Sequence, residues 1–323
     1  TSSQTEIAGC GARWTRPGVQ RLMRWPQRAP VGRIAYVNGR YVPHGEAHVH
    51  IEDRGLQFGD AIYEVVAVVG GAMRDEEEHL DRLERSLREV RVAMPMSRPA
   101  FKFIFREIAR RNRMRNGLIY LQVTRGAFRR DQPIPAESAK PTVIITAKEL
   151  DPTAVDARKS KGIKVITRPD ERWARCDIKT TQLLPNLLAK TDARKDGAYE
   201  AWLVDRDGFV TEGSSTTAWI VTGDGEIVTR DLSNAILPGV TRRVILEAAA
   251  AAQMKVVERR FTPEEAKGAA EAFLSAATGA GVPIVAIDGV QVGDGKPGPV
   301  TRRVQEVYED WAARHTENAK NRG

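Results

Sequence analysis

Residues Arg33-Ile34-Ala35-Tyr36-Val37 form an apolar run that is followed by Asn38-Gly39 and then Tyr41-Val42. An Asn-Gly pair between two such runs predicts a tight antiparallel hairpin, because both residues tolerate the positive φ that the turn requires. Residues 61–69 are rich in β-branched side chains, end at Gly70-Gly71, and read as a buried strand. The period then becomes helical. Leu80, Leu83, Leu87 and Val90 make one stripe over Glu76–Val92, with Arg82, Arg85 and Arg88 expected elsewhere on the surface. Phe101, Ile104, Phe105 and Ile108 predict a second helix over about Arg98–Asn112. Strands resume at residues 118–124 and 141–146, separated by the polar loop Gly126–Lys140, and a loop this long within a compact domain is usually functional. The charged stretch Leu150–Lys161, which contains Asp151-Pro152, reads as a linker.

Beyond it the pattern predicts a strand at 162–167, a helix carrying Leu183, Leu184, Leu187 and Leu188, and a strand at 198–204. The turn Asp205-Arg206-Asp207-Gly208 closes a hairpin onto Phe209–Glu212, so Glu212 ends a strand at Gly213. Leu237-Pro238-Gly239-Val240-Thr241 opens another helix, whose unpaired first amides suit an anion. Strands at 272–275 and 282–287 flank the small-residue loop Ala276–Gly281, which offers further backbone amides. These elements define an α/β (α+β) chain in two parts. A basic, disordered extension is expected over 1–32, an N-terminal α/β domain over 33–149, a linker over 150–161 and a C-terminal domain over 162–323. The cleft between the domains is the expected site.

Composition narrows the classes. A hydrophobic fraction of 41% and a charged fraction of 28% are those of a soluble globular chain, and no apolar run approaches the ~20 residues of a membrane span. Cys10 and Cys176 form no CxxC or Cys/His spacing, which fits a reducing cytoplasm and no disulfide scaffold or zinc site. His48-Val49-His50 alternates as a strand would, with both histidines on one face, and no metal is expected there. The net charge of +8 raises the question of nucleic acid. Part of the excess lies in residues 1–30, and part in Arg106, Arg110, Arg111, Arg113 and Arg115 on the solvated face of the second predicted helix. No zinc-finger or RNP-type pattern accompanies either group, so neither a nucleic-acid nor a membrane partner is expected. The first thirty residues also lack the apolar core of a secretory signal.

The candidate chemistry rests on an amine, Lys179, an acid, Glu212, and a phosphate-sized cradle at the helix start after Leu237. Pyridoxal 5′-phosphate (PLP) chemistry needs these three: an amine to bond the cofactor, an acid for its ring nitrogen and donors for its phosphate. Each residue alone also has a plain structural explanation. Glu212 can be a surface carboxylate, Thr241 a helix cap and Arg82 a solvated helix residue.

What joins them is a collinear series of motifs: Asp53-Arg54-Gly55-Leu56-Gln57-Phe58-Gly59-Asp60, Tyr63-Glu64-Val65, His79-Leu80-Asp81-Arg82-Leu83, Gln122-Val123-Thr124-Arg125-Gly126, Arg175-Cys176-Asp177-Ile178-Lys179, Thr211-Glu212-Gly213-Ser214-Ser215 and Gly239-Val240-Thr241-Arg242. In this series, residues 33–310 resemble the fold-type IV PLP enzymes, most closely the D-amino acid aminotransferases. The resemblance implies a smaller N-terminal domain, a larger C-terminal pseudo-barrel, and PLP in the cleft between them. It implies that Lys179 is the Schiff-base lysine and proton shuttle, and that Glu212 partners the pyridine nitrogen. Arg82, Val240, Thr241, Ala277 and Thr278 are implied phosphate ligands. The family often has a hydroxyl residue where Ala277 stands, so there only the backbone amide can help.

The same resemblance implies ping-pong transfer of an amino group from a D-amino acid to a 2-oxo acid, with Tyr63, Arg130 and Gln132 as substrate-binding residues. It also implies a homodimer in which the carboxylate-binding loop reaches into the neighbouring subunit's site. Gln132 replaces a family histidine and adds no positive charge, which leaves room for an (R)-selective amine transaminase. Branched-chain aminotransferases share the cofactor residues but usually show Phe-Glu-Gly where Tyr63-Glu64-Val65 stands, and aminodeoxychorismate lyases share Asp-Arg-Gly and the lysine but typically show Phe-Glu-Thr there.

Overall fold

The computed structural model describes residues 32–135 and 140–320. The expected N-terminal extension therefore lies outside the described residues, apart from Gly32.

The first half is one antiparallel sheet. Its strands are β1 (Ile34–Val37), β2 (Arg40–Pro43), β3 (Ala61–Val69), β4 (Ala72–Met73), β5 (Gly117–Thr124) and β6 (Thr142–Glu149), in the order β2-β1-β6-β5-β3-β4. The hairpin between β1 and β2 turns at Asn38 (φ 46°) and Gly39 (φ 91°), the left-handed pair that the sequence predicts. The Asn38 side chain also accepts from the Val143 amide, which ties the turn to β6. The short helix α1 (Arg54–Phe58) precedes β3, and α2 (Glu76–Glu89) and α3 (Arg98–Arg111) pack on the sheet. Leu80, Leu83 and Leu87 of α2 meet Phe101, Phe105 and Ile108 of α3 over Ile62, Val66, Ile119 and Leu121. On the outer side of α3, Arg106 pairs with Glu76, and Arg110 and Arg111 pair with Glu107. That is the solvated face expected of an amphipathic helix.

The second half is a nine-stranded sheet. It contains β7 (Ile163–Pro169), β8 (Glu200–Val204), β9 (Val210–Gly213), β10 (Thr217–Val221), β11 (Ile227–Thr229), β12 (Val256–Glu258), β13 (Glu271–Ala276), β14 (Gly279–Ile287) and β15 (Val290–Gln291). The order is β12-β11-β10-β13-β14-β7-β8-β9, with β15 on β14. Edge strand β9 is joined to β10, well inside the sheet, by a tight turn in which Gly213 donates to the Thr216 carbonyl. The sheet must curl to allow this, which gives the expected pseudo-barrel. Alternation along β10 divides its two faces. Ala218 and Ile220 enter one core with Trp202, Phe261 and Leu274, whereas Trp219 and Val221 enter another with Phe273, Val244 and Val304. The second of these lies under α6 (Val240–Ala251) and α8 (Pro299–Lys320), while α5 (Leu184–Lys195) packs against β8 and the short α7 (Pro263–Lys267) against β14.

Three expectations need correction. Residues Pro152–Lys161, read as a linker, form helix α4, started by an Asp151 side chain that accepts from the Thr153 amide and by Pro152 in the first turn. Residues 47–50 are not a strand; they follow a 3₁₀ turn, and both His48 and His50 are exposed. Arg82 is buried rather than on the surface. It shares with His79 and Ser86 a second inward row of α2 beside the leucine stripe, and that row faces Glu64 of β3.

Candidate active site

Lys179 reaches its position through backbone pairing. The Tyr63 amide donates to the Lys179 carbonyl at 2.9 Å, Thr180 bridges Ile62, and the Thr181 amide donates to the Ala61 carbonyl at 3.1 Å. Ile178 on one side of this extended segment enters the core of the first half. Lys179, pointing the other way, lines a cavity of about 310 Å³, with its Nζ 4.3 Å from the centroid of the Tyr63 ring. Just upstream, Arg85 of α2 donates to both the carboxylate and the carbonyl of Asp177, at 2.6 and 2.8 Å. Burial opposes the Asp177 charge, but Arg175 and Arg85 together hold its carboxyl below the usual carboxylate range.

The cavity lies between the two sheets. Tyr63, His79 and Arg82 line it from the first half, and Lys179, Glu212, Val240, Thr241, Ala277 and Thr278 from the second. Helix α6 begins at Gly239 with no side-chain cap, so its first amides are not engaged by a capping side chain. Arg82 adjoins this helix start through Nη1, which donates to the Pro238 carbonyl at 3.2 Å. Its Nε and Nη2 form a bidentate pair with Glu64, both at 2.8 Å, and His79 Nδ1 also lies 2.8 Å from Glu64. Burial alone would raise the Glu64 pKa, yet the Arg82 charge and these hydrogen bonds depress it far below the ordinary carboxylate range.

Glu212, next to last in β9, stands at the opposite wall. Its carboxylate accepts from Arg172 and, at 3.3 Å, from the Leu237 amide. Arg172 is held in turn by Asp170, through Nε at 2.9 Å and Nη2 at 2.7 Å. Burial pushes the Glu212 carboxyl above its ordinary range against the pull of Arg172. A carboxylate with raised proton affinity is a stronger acceptor for a cationic N–H placed against it. Gly213 must follow, because a Cβ there would collide with the Thr216 hydroxyl. The Ser214, Ser215 and Thr216 hydroxyls then converge on buried Glu200, which Lys190 neutralises at 2.9 Å.

Arg130 and Gln132 do not join this group. Arg130 stacks on Phe58 at 5.0 Å, and neither residue lines the cavity. The Asp53-Arg54-Gly55 motif explains their placement. Asp53 caps α1, Arg54 and Arg125 share Asp60, and Arg54 donates to the Asp131 and Gln132 carbonyls at 2.6 and 3.2 Å. The motif therefore shapes the loop and supplies nothing to the cavity. Sequence reasoning assigned no role to Glu64, His79 or Arg172. A charged residue inside the apolar run of β3, and a histidine three residues before Arg82 on one helix face, were the available signals for the first two. Arg172 carried none: Asp170 lies two residues before it, but the Glu212 that gives it meaning lies in β9. Cys176 also lines the cavity, but burial raises its thiol to about 11, which disfavours a nucleophilic role.

A model of the amino-transferase class IV family matches residues 61–287. The chain is 39% identical to a D-alanine aminotransferase of Staphylococcus haemolyticus, over 85% of this chain and 96% of that protein. It is 36% identical to the D-alanine aminotransferase of Bacillus licheniformis, over 84% and 95%. Among solved structures, a branched-chain amino acid aminotransferase of Escherichia coli shares the fold with a TM-score of 0.79 at 24% identity, covering 87% of this chain and 95% of that one. A second branched-chain amino acid aminotransferase, from T.th. and solved with pyridoxamine 5′-phosphate, gives 0.78 at 28% identity, covering 87% and 94%. The cavity thus sits in a fold that carries amino-group transfer, and the chain belongs to the amino-transferase class IV family.

Replacing Glu64 with Gln leaves Arg82 buried without a charge partner and should cost about 3–5 kcal/mol at pH 7, read from urea denaturation. The folded pKa of Glu64 is depressed, so its contribution is fully present above the unfolded value of about 4.3. It drains away below that pH as the unfolded chain takes up a proton that the folded carboxylate refuses. The gap between wild type and Glu64→Gln should therefore narrow at pH 3; an equal gap at both pH values would contradict the assignment.

Proposed function

We propose that this chain is a PLP-dependent transaminase that moves an amino group from a D-amino acid to a 2-oxo acid, with Lys179 as the reacting amine. The observation that carries the reading is the meeting in one cavity of Lys179, Glu212, the uncapped start of α6, and Arg82. These residues fit the cofactor. Lys179 would bond its carbonyl carbon, Glu212 would accept from its ring nitrogen, and the phosphate would take donors from Arg82, Val240, Thr241, Ala277 and Thr278. Gly239 supports this, since a Cβ there would crowd Thr217 Oγ1 at 3.1 Å beside the helix start. Arg82 uses three of its five N–H groups on Glu64 and Pro238, which leaves two for an anion.

When bound, PLP supplies a carbonyl that bonds amines and a ring that stores the electron pair left when a substrate Cα loses its proton. Lys179, displaced by the incoming donor, takes the proton from Cα and later returns one. Glu212, held by Arg172 and the Leu237 amide, keeps its acceptor oxygens fixed while charge develops, so little reorganisation is needed. Tyr63 covers the lysine with its ring and stacks on Tyr120, whose hydroxyl burial raises to about 12. That ring wall limits water beside the reacting amine.

The D-amino acid preference is supported by the relatives named D-alanine aminotransferase. The location of Arg130 and Gln132 outside their own cavity supports a homodimer in which they enter the partner's site and grip the substrate carboxylate. Exposed apolar side chains support association too: Ile51 at 77% and Leu56 at 65% beside this loop, and Leu184, Leu187 and Leu188 on α5.

Two experiments test the proposal. Added PLP should give the visible absorption of lysine-bound cofactor in wild type and not in Lys179→Ala, and D-alanine should bleach it. Bleaching by L-leucine or (R)-1-phenylethylamine alone would instead favour a branched-chain or amine transaminase. Co-expressing Lys179→Ala with Arg130→Ala should restore activity, because a mixed dimer holds one site with both wild-type residues. Failure to exceed either parent would contradict the shared site.

A further inference from the structure

Five Lys and Arg side chains line the cavity, against a single acid, Glu212. Most are committed. Arg82 belongs to Glu64, and Arg172 to Asp170 and Glu212. Arg242 pairs with Glu258 at 2.6 Å and donates to the Arg230 carbonyl. Lys179 is the reacting amine. The fifth, Arg158, meets no carboxylate at ion-pair distance among the described residues, and its guanidinium rests over the Tyr199 ring, 5.3 Å from the centroid. Lys190 reaches the same ring at 4.5 Å and is spoken for by Glu200.

Arg158 has little structural reason to stand there. Helix α4 buries none of its residues, so the side chain secures no core. The helix nonetheless divides its side chains by face. Arg158 lines the active cavity, and Asp156 and Lys159 an adjoining chamber in which Lys159 pairs with Glu309, while Val155 borders both. A planar guanidinium left without an acid beside a small-molecule cavity is suited to a bidentate carboxylate or a similar planar anion. The substrate's own α-carboxylate already has a candidate in Arg130.

Resting on the transaminase reading, we propose that Arg158, seated on Tyr199, is a distal anion subsite that binds the side-chain carboxylate of dicarboxylic 2-oxo acids and amino acids. It lies within the same subunit as Lys179, so it acts independently of the Arg130 loop. A dicarboxylate would place one carboxylate at each arginine, with the reacting carbon between them. A monocarboxylate would leave Arg158 to solvent and lose nothing when it is replaced.

The test uses the PLP-loaded enzyme. Arg158→Gln should raise KM for 2-oxoglutarate by roughly 10- to 100-fold, the size expected for a lost charge-assisted contact, and leave KM and kcat with pyruvate within about 2-fold. Arg158→Lys should recover part of the loss. Calorimetric titration with glutarate, an unreactive diacid, should weaken by a similar factor, while butyrate binding stays unchanged. Equal loss with pyruvate and 2-oxoglutarate, or no loss with either, would overturn the subsite. If wild type transfers no amino group from D-alanine to 2-oxobutyrate or 2-oxoglutarate, the transaminase reading fails instead, and the glutarate titration still decides whether Arg158 binds the diacid.

Discussion

The antiparallel stitch between residues 178–181 and Ala61–Tyr63 is the contact on which the site depends. Strand β3 pairs with β4 only near its far end, at Val68 and Val69, so its first residues carry edge groups that need partners. The segment from the second half fills them. Because side chains alternate in extended backbone, burying Ile178 in the first core turns Lys179 into the cavity. A slip of one residue would bury the lysine among apolar side chains and leave the cavity without its amine. Register therefore carries chemical meaning, and the Arg85 clamp on Asp177 fixes it from two residues upstream of the lysine.

The rest of the cavity follows one electrostatic plan. Its arginines are mostly neutralised by acids set behind the wall, Glu64 for Arg82, Asp170 for Arg172 and Glu258 for Arg242. The first two pairs are each held by at least two hydrogen bonds, and removing one member would strand a buried charge. The donors that remain are thus preorganised, and the lining stays cationic overall, which suits a phosphate-bearing cofactor and carboxylate substrates. Part of the positive charge of the chain is spent here, and part on the paired surface of α3.

Much of this was legible because it is local. The Asn38-Gly39 turn, the β-branched run of β3 and the stripes of α2 and α3 declare themselves within a few residues. Helix α4 did not, since it has almost no apolar face; only Asp151 and Pro152 marked its start, and they read equally well as a turn. Arg82 looked exposed because the helical stripe of leucines hides a second inward row, visible only once Glu64 is known to lie opposite. Arg172 and Arg158 are brought to the cavity by packing between distant elements, as in the pair of Arg172 with Glu212, which no single window of sequence records. The family resemblance named Lys179, Glu212 and the start of α6, and these do line one cavity; it also named Arg130 and Gln132, which a single chain keeps apart from them.

The most direct measurement is chemical mapping of the reacting amine. The protein is loaded with PLP, reduced with borohydride, digested, and its peptides are weighed by mass spectrometry. A pyridoxyl adduct on Lys179 and on no other lysine is the expected result. An adduct spread over Lys164, Lys190 and other accessible lysines, or an unmodified Lys179 peptide, would contradict the account.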